Sequence, residues 1–446
     1  MMGRVQEQGQ LFFRFRLDDH VPEGHFLRQV DRFLDFKPLR DELAPLYSRI
    51  GRPSIDPELM IRMLLIGYLY GIRSETRLCD EVHLNLAYRW FCRLGLEGQV
   101  PERSTFSKNR HGRFAGGDIL RRVFETVVEV CTDHGLAGGT GALADGSPVH
   151  ADANRDRRDT PDAIQATWDE KETIARPVQA YLDDLEAAVA YPPDGPKHKP
   201  PKYISETDPQ AAWSLKDGPG RFSYEVNYLA DDLHVIIVDV EATPARLSQE
   251  IVAAKEMLER SADAVGFVPE DIAADKSYGT GPFLSWLFDR EVTPYIPVLD
   301  RKAQTFGKLT RDAFEYDADK DVYICPEGHP LSLARIDTKT RVKRYTARKS
   351  ACQDCPLRDQ CTDAPFRTVV RLMDEEARQK ARDLAETDAF QTARARRKKI
   401  EMLFAHLKRW LKLTRLRLRG LSGANEEFLL AATAQNLKRL VKLVPI

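Results

Sequence analysis

Apolar positions follow a helical period at both ends of the chain and a strand period in the middle. Ile400, Leu403, Phe404, Leu407 and Leu411 recur at i, i+3, i+4, i+7 and i+11, the buried stripe of an amphipathic helix. The first 135 or so residues also read as helical. Asp56 before Pro57 and Glu58 is a helix start, with Asp as N-cap and Pro at the first position. Ser74 caps the next helix, and NLAYRWFCRLGL carries an aromatic-rich apolar face. Ser104 is a candidate cap for a short basic helix presenting Lys108, Arg110, His111 and Arg113. Gly116-Gly117-Asp118 opens a helix with Leu120, Val123, Phe124, Val127, Val128 and Cys131 at helical spacing, closed by Gly135. Such a set of helices with a basic edge reads either as a DNA-reading module of helix-turn-helix type or as plain bundle packing.

The texture changes at Thr140. TGALADGSPVHADAN predicts a strand, a Gly turn and a second short strand. Residues 155–210 are polar and Pro-rich, with one helix-compatible piece around ARPVQAYLDDLEAAVAY, the composition of an insertion or flexible connector. RFSYEVNYLADDLHVIIVDVEA predicts a hairpin that turns at Asp231-Asp232 into a buried strand. A helix (ARLSQEIVAAKEMLER), a buried strand entering a turn (DIAADKSYG), a helix (GPFLSWLFDR) and a strand (VTPYIPV) follow. A Cys-bearing stretch then precedes the helix of Glu401. KRWLKLTRLRLRG alternates near period two from Lys412 to Arg419, which predicts an extended or irregular segment whose cations face phosphates. Trp410 reads as a core residue, with base stacking as the alternative. The alternation of elements is that of a mixed α/β fold, without internal repeats.

Composition narrows the class. A chain of 446 residues, 42% hydrophobic and 30% charged, is long enough for two to four globular domains. Its longest apolar run, LMIRMLLIGYLYG from Leu59, is broken by Arg62 and too short to span a bilayer. MMGRVQEQGQ has no apolar signal region, and seven cysteines, four of them clustered, suit a reducing cytoplasm. Cys79, Cys92 and Cys131 lie in apolar helical settings and read as core. The net charge of −1 conceals a polarity: from residue 389 onward fourteen Lys and Arg oppose three Glu, so +11 at this end leaves −12 elsewhere. That asymmetry points to a polyanion partner at the C-terminal end.

Three carboxylates stand out by position. At about 100° per residue, Lys408 falls roughly 20° and Arg397 roughly 40° from Glu401 around its helix, with Arg394 close by. Taken alone, Glu401 is either one half of an ion pair on a solvated helix or a metal-binding carboxylate whose neighbouring cations hold phosphates. Asp145 ends the apolar run Ala142-Leu143-Ala144 before Gly146, and Asp275 ends Ile272-Ala273-Ala274 before a turn containing Gly279. Acids at strand ends lie where α/β sheets place ligands, although Asp before Gly is also ordinary turn chemistry. Three carboxylates can hold two Mg²⁺ ions, which together stabilise both oxygens of an in-line phosphoryl displacement. Cys325, Cys352, Cys355 and Cys361 contain one Cys-x2-Cys pair with two flanking cysteines, with His329 as a spare candidate: a structural Zn²⁺ site or buried free thiols. No P-loop, GxSxG or His-based nucleophile arrangement supports serine or cysteine hydrolysis.

ALADGS, AADKSYG and RKKIEMLFAHLK, in that order, resemble the DDE transposases of bacterial insertion sequences, which share an RNase H-like core. The late motif of that family is Tyr-x2-Arg-x3-Glu-x6-Lys; Arg397, Glu401 and Lys408 match it, and Arg394 stands at the Tyr position. The block from about Leu17 to Phe114, VNYLADDLHVIIVDVEAT, the cysteine insert and GLSGANEEFLLAATAQNLKRL are also similar to it. The resemblance implies a helical N-terminal domain for DNA-end binding or dimerisation (1–135), the first part of the core (136–300), a four-cysteine insertion (301–375) and a catalytic Glu helix with a basic C-terminal region (376–446). It implies Asp145, Asp275 and Glu401 as ligands of two Mg²⁺ (or Mn²⁺), and Arg397, Lys408, Arg394, Arg415, Arg417 and Arg419 as phosphate contacts. It further implies double-stranded DNA as partner, with transposon ends and target DNA as substrates, a homodimer bridging two ends, no membrane, and a nucleoid-associated cytoplasmic location. A catalytically silent DNA-binding derivative and a metal-dependent nuclease without strand transfer are the alternatives.

Overall fold

The computed structural model of the chain describes residues 15–44, 54–110, 118–165, 201–216, 218–245, 249–299, 308–338 and 340–444. The helix-compatible piece at 175–191, most of the Pro-rich run after it, His111, Arg113 and Gly116-Gly117 lie outside them.

A mixed sheet forms the centre. Its long strands are β1 (Gly141–His150), then, beyond the short ladder of β2 (Arg158–Asp159) with β3 (Ile204–Ser205) and beyond β4 (Ala212–Ser214), β5 (Arg221–Asp231) and β6 (Ile237–Pro244). β7 (Asp271–Ala273) and β8 (Thr293–Tyr295) complete it. The strands run in the order β6-β5-β1-β7-β8, with β4 on the first residues of β5. β5 is antiparallel to β1 and β6, whereas β7 lies parallel to β1 and β8 parallel to β7. The β5–β6 hairpin turns at Asp231-Asp232 because the Asp231 carboxylate accepts the turn's amides, Leu233 N at 3.0 Å, His234 N at 2.8 Å and Ile236 N at 2.6 Å.

β1 corrects one expectation. Gly146 makes no turn: the strand runs unbroken through it, pairing Asp145 with Tyr228 and Gly146 with Asn227. The glycine serves a close approach instead, since a Cβ there would lie 3.0 Å from Asn227 Oδ1 and 3.2 Å from Glu225 Cγ. Asp145 is therefore a mid-strand residue.

Helices cover both faces. The helix Gln249–Val265 packs on β5 and β6, the helix Asp388–Arg409 crosses β1 and β7, and the C-terminal helix Gly420–Leu443 joins β6 to the N-terminal helices Pro57–Leu69 and Ile119–Asp133. Asp56 and Ser74 cap their helices as read, each accepting from first-turn amides. Ser104 does not: its helix begins at Arg103 with Glu102 at the cap position and no side-chain cap bond. Arg110 at its end is buried rather than presented. One core runs continuously from Leu27 to Leu440 through helices and sheet, with Cys79, Cys92 and Cys131 inside it.

The stretch before the Glu401 helix builds a separate antiparallel sheet: β9 (Glu315–Asp317), β10 (Val322–Ile324), β11 (Pro330–Asp337), β12 (Val342–Ala347) and β13 (Thr368–Leu372), paired in sequence order. Phe314, Tyr323, Leu331, Tyr345, Ala347 and Val369 give it a core of its own, against which Cys325, Cys352 and Cys361 pack.

The basic tail is extended, as its alternation predicts. Leu413, Leu416 and Leu418 are buried while Arg415, Arg417 and Arg419 are exposed. It is pinned to the end of β1, where His150 N donates to Thr414 O (3.2 Å) and Leu416 N to His150 O (2.7 Å). Trp410 departs from the core reading at 70% exposure. The helix stops at Arg409, and the left-handed Lys412 (φ 55°) redirects the chain, leaving the indole outside. Among the described residues no helix is long and apolar enough to cross a membrane.

Candidate active site

β1 and β7 run parallel, with Gly141, Ala142 and Leu143 paired to Asp271, Ile272 and Ala273. The pairing ends there; Asp145 and Asp275 each follow two residues later, near enough for the Asp275 charge to act on the Asp145 carboxyl. Asp275 caps the 3-10 turn Lys276–Tyr278, its Oδ1 accepting from Ser277 N at 2.7 Å and from Ser277 Oγ at 2.5 Å. The turn presses against the segment after β8, where a Cβ on Gly279 would collide with the Pro297 carbonyl.

Glu401 arrives from the helix Asp388–Arg409. Thr387 starts that helix by accepting from Phe390 N at 3.2 Å, and His406, Lys408 and Arg409 in its last turn suit the negative end of its dipole. Ile400, Leu403, Phe404 and Leu407 are buried, with Phe404 stacked on Tyr228 of β5 at 5.0 Å between ring centroids. That packing sets Glu401 at the edge of the buried stripe. Arg397, one turn earlier, reaches both acids: Nη1 lies 3.6 Å from Asp145 Oδ2 and Nη2 lies 3.3 Å from Glu401 Oε1.

Burial pushes the Asp145 carboxyl up to about 6. The Gly146 amide, 2.9 Å away, and Arg397 oppose the rise, while Asp275 and Glu250 add to it. Glu250 heads the helix Gln249–Val265 and belongs to a second group of acids that sequence reading missed. Lys216 Nζ lies 2.8 Å from Glu225 Oε1 and 3.1 Å from Glu250 Oε1. Ser277 Oγ stands 2.7 Å from Glu250 Oε2 as well as 2.5 Å from Asp275 Oδ1, yet a hydroxyl has one proton to give. The Tyr278 hydroxyl is buried without a hydrogen-bond partner among the described residues. Only Ser277 and Tyr278 had a signal, lying within AADKSYG; an acid at a helix start, such as Glu250, is too common to flag.

The predicted cations separate into groups. Arg394 is exposed and Lys408 half-buried on the same helix. Arg396, not singled out, pairs with Asp232 and with Asp271 (3.4 Å), and Lys399 donates to Asp232 O at 2.8 Å, so these two tie the helix to the sheet. Arg415 and Arg419 both engage Asp152, at 3.0 and 3.2 Å. The four clustered cysteines are close enough for Cys352, Cys355 and Cys325 to act on the Cys361 thiol, which burial raises above its ordinary value. Among the described residues, however, no three His, Cys, Asp or Glu are grouped so as to hold a metal ion, at the cysteines or around Asp145.

Two family models match the chain, a Transposase domain over residues 15–112 and a Transposase DDE domain over residues 324–441. The second includes Arg397, Glu401, Lys408 and the four clustered cysteines; Asp145 and Asp275 lie outside both. Among solved structures, the piggyBac transposase synaptic complex with hairpin DNA, seen by cryo-EM, aligns at 10% identity over 92% of this chain and 71% of that one. Its TM-score of 0.33 is too low to argue from. The two transposase-domain matches, one at the helical N-terminal end and one across the Glu401 helix, support a DDE-type transposase of an insertion sequence.

Proposed function

We propose that the chain binds the terminal inverted repeats of its insertion sequence, cleaves the DNA strand there and joins the freed 3′-hydroxyl to target DNA. Asp145, Asp275 and Glu401 are its catalytic acids. The observation that carries this reading is Arg397, which approaches Asp145 and Glu401 together, while the Asp275 charge acts on the Asp145 carboxyl. The order β6-β5-β1-β7-β8, antiparallel then parallel, supports reading the sheet as an RNase H-like core. The domain plan follows: helical region 1–135, core 136–300, cysteine insertion 301–375 and Glu helix with basic region 376–446.

The acids suit a pair of Mg²⁺ or Mn²⁺ ions, since all are hard oxygen donors, and Asp145, raised chiefly by burial, is raised further by the charge of Asp275. Held by Asp145, Asp275 and Glu401, such ions would supply charge stabilisation to the oxygens of the displacement. The protein's own share is positioning. Ser277 fixes the Asp275 carboxylate, the Phe404 contact fixes the Glu401 helix, and Arg397 with Lys408 holds the phosphodiester. Arg394 and the exposed Arg415, Arg417 and Arg419 contact phosphates elsewhere on double-stranded DNA. Two copies bridge the two transposon ends. Cys325, Cys352 and Cys361 pack on one small core and Cys355 lies near enough to act on the Cys361 thiol, which supports a structural Zn²⁺ reading of the insertion.

The test is strand nicking and transfer on end-containing DNA with Asp145→Asn, Asp275→Asn and Glu401→Gln. Each should lose cleavage by about three orders of magnitude or more, without additivity, while binding the ends within a few-fold of the parent. Nicking at parental rate by any one removes that residue from the site. Nicking without joined products from pre-cleaved ends would make the protein a nuclease.

A further inference from the structure

A second site lies away from the acids, where the N-terminal helices meet the basic tail. A cavity of about 220 Å³ opens there, lined by Arg73, Ser74, Arg103, Arg110, Arg417 and Glu427 among others. That is far more than the roughly 10–15 Å³ that one water needs on this measure.

Arg110 is only 5% exposed, and its hydrogen bonding among the described residues is incomplete. Nη1 donates to Glu75 Oε1 at 3.2 Å, but Nε and Nη2 are buried with no acceptor among those residues. Those two atoms form one edge of the guanidinium fork, the edge that grips two oxygens of a phosphate at once. A buried charged donor left unpaired is more costly than a neutral one, so the protein gains if a ligand supplies the acceptors. The neighbouring acid does not supply them. Glu427 is fully occupied by Arg73, the Tyr68 hydroxyl (3.4 Å) and the amides of Arg417 (2.5 Å) and Leu418 (2.7 Å). Arg73 Nε is a further buried donor without an acceptor among the described residues.

Exposed Arg103 and Arg417 add positive charge to the lining. Arg73 and Arg417 also line an adjoining cavity of about 280 Å³ together with Lys412 and Arg415, so the cations continue along the extended tail. A single small anion would need one such pocket; a chain of phosphates uses both.

We propose that this cavity is a phosphate-binding site, with the Nε–Nη2 edge of Arg110 gripping two phosphate oxygens and Arg103 and Arg417 closing over it. A backbone phosphate of DNA, passing from the N-terminal helices onto the tail, is the occupant that the adjoining cavity favours. The site does not depend on the chemistry at Asp145, Asp275 and Glu401, and amide variants of those acids should keep it.

The full chain would be compared with Arg103→Ala, an exposed change, and Arg110→Lys, which keeps the charge and removes the fork. Binding to random duplex DNA would be followed against salt, and thermal stability followed in inorganic phosphate against chloride at equal ionic strength. For a DNA phosphate, both variants bind duplex more weakly, and with Arg103→Ala, which removes a charge, the slope of log K against log salt shrinks by about 0.9 for the lost contact. If the slopes stay parental but phosphate stabilises the parent and not Arg110→Lys, the site stands and its source is a free phosphate. Parental slopes together with identical phosphate responses overturn the proposal. Should Arg110→Lys fail to fold, Arg103→Ala decides by the same two readouts.

Discussion

Asp145 Oδ2 lies 3.6 Å from Nη1 of Arg397, an arginine whose other arm holds Glu401 Oε1 at 3.3 Å. One guanidinium thus draws together a strand acid and a helix acid that are 256 positions apart in the chain. It also neutralises them where divalent cations would otherwise do so. With Arg397→Ala, the acids should bind Mn²⁺ more tightly, by about fivefold if the pair contributes about 1 kcal/mol after allowance for the half-exposed Glu401. Cleavage should nonetheless fall, because the phosphodiester loses its anchor. Titration calorimetry with Mn²⁺ decides this, and a weaker affinity in the variant would show that Arg397 orders the acids rather than opposing cations.

The single Ser277 proton shared between Asp275 and Glu250 leads to a second expectation. Glu250→Gln places an amide opposite Ser277 Oγ, and the hydroxyl can then serve Asp275 alone. Losing an outer carboxylate of this kind typically lowers activity or metal affinity by 10–100-fold, and that range is expected for cleavage. Folding should be little affected, since Lys216 keeps Glu225 as partner at 2.8 Å. Parental cleavage by the variant would reduce Glu250 to a surface counter-ion of Lys216.

How much of this was legible beforehand depended on range. The apolar stripe of the Glu401 helix, the hairpin at Asp231-Asp232 and the alternating tail are local patterns, and each formed as read. Gly146 misled because Asp-Gly is a turn signal whose strength is local, whereas the packing of Glu225 and Asn227 against that glycine is not. Trp410 misled because a tryptophan near a buried stripe reads as core, whereas the helix ends one residue before it and leaves the indole exposed. Arg110 looked like part of an exposed basic face because nothing in the sequence ties it to Glu75. Glu225, Glu250 and Lys216 come together only through the pairing of β4, β5 and the following helix.

Zinc at the cysteine sheet gives a composition that can be counted. If Cys325, Cys352, Cys355 and Cys361 close on one ion, protein purified without chelator should hold about one zinc per chain. Cys355→Ser should lower that content and loosen the small core under Tyr345 and Tyr323, seen as a lost low-temperature transition or as faster proteolysis between β9 and β13. Metal-free protein with an intact parental melting profile would make these four ordinary thiols.

Glu426 connects pH with the arginine cavity. Burial raises its carboxyl to about 7; Arg110 pulls it down, and Glu427 pushes it further up. Because the folded value exceeds the unfolded one near 4.5, the folded protein binds this proton more tightly than the unfolded chain does. The penalty for ionising Glu426 is therefore in full force above about pH 7 and fades as the pH falls toward 4.5. Glu426→Gln removes the titration while keeping the shape. The variant should melt higher than the parent at pH 8, on the order of 1 °C, and at the same temperature as the parent near pH 4.5. If instead it melts lower at pH 8, attraction to Arg110 outweighs the burial, and Glu426 is the acceptor that holds that arginine in the folded state.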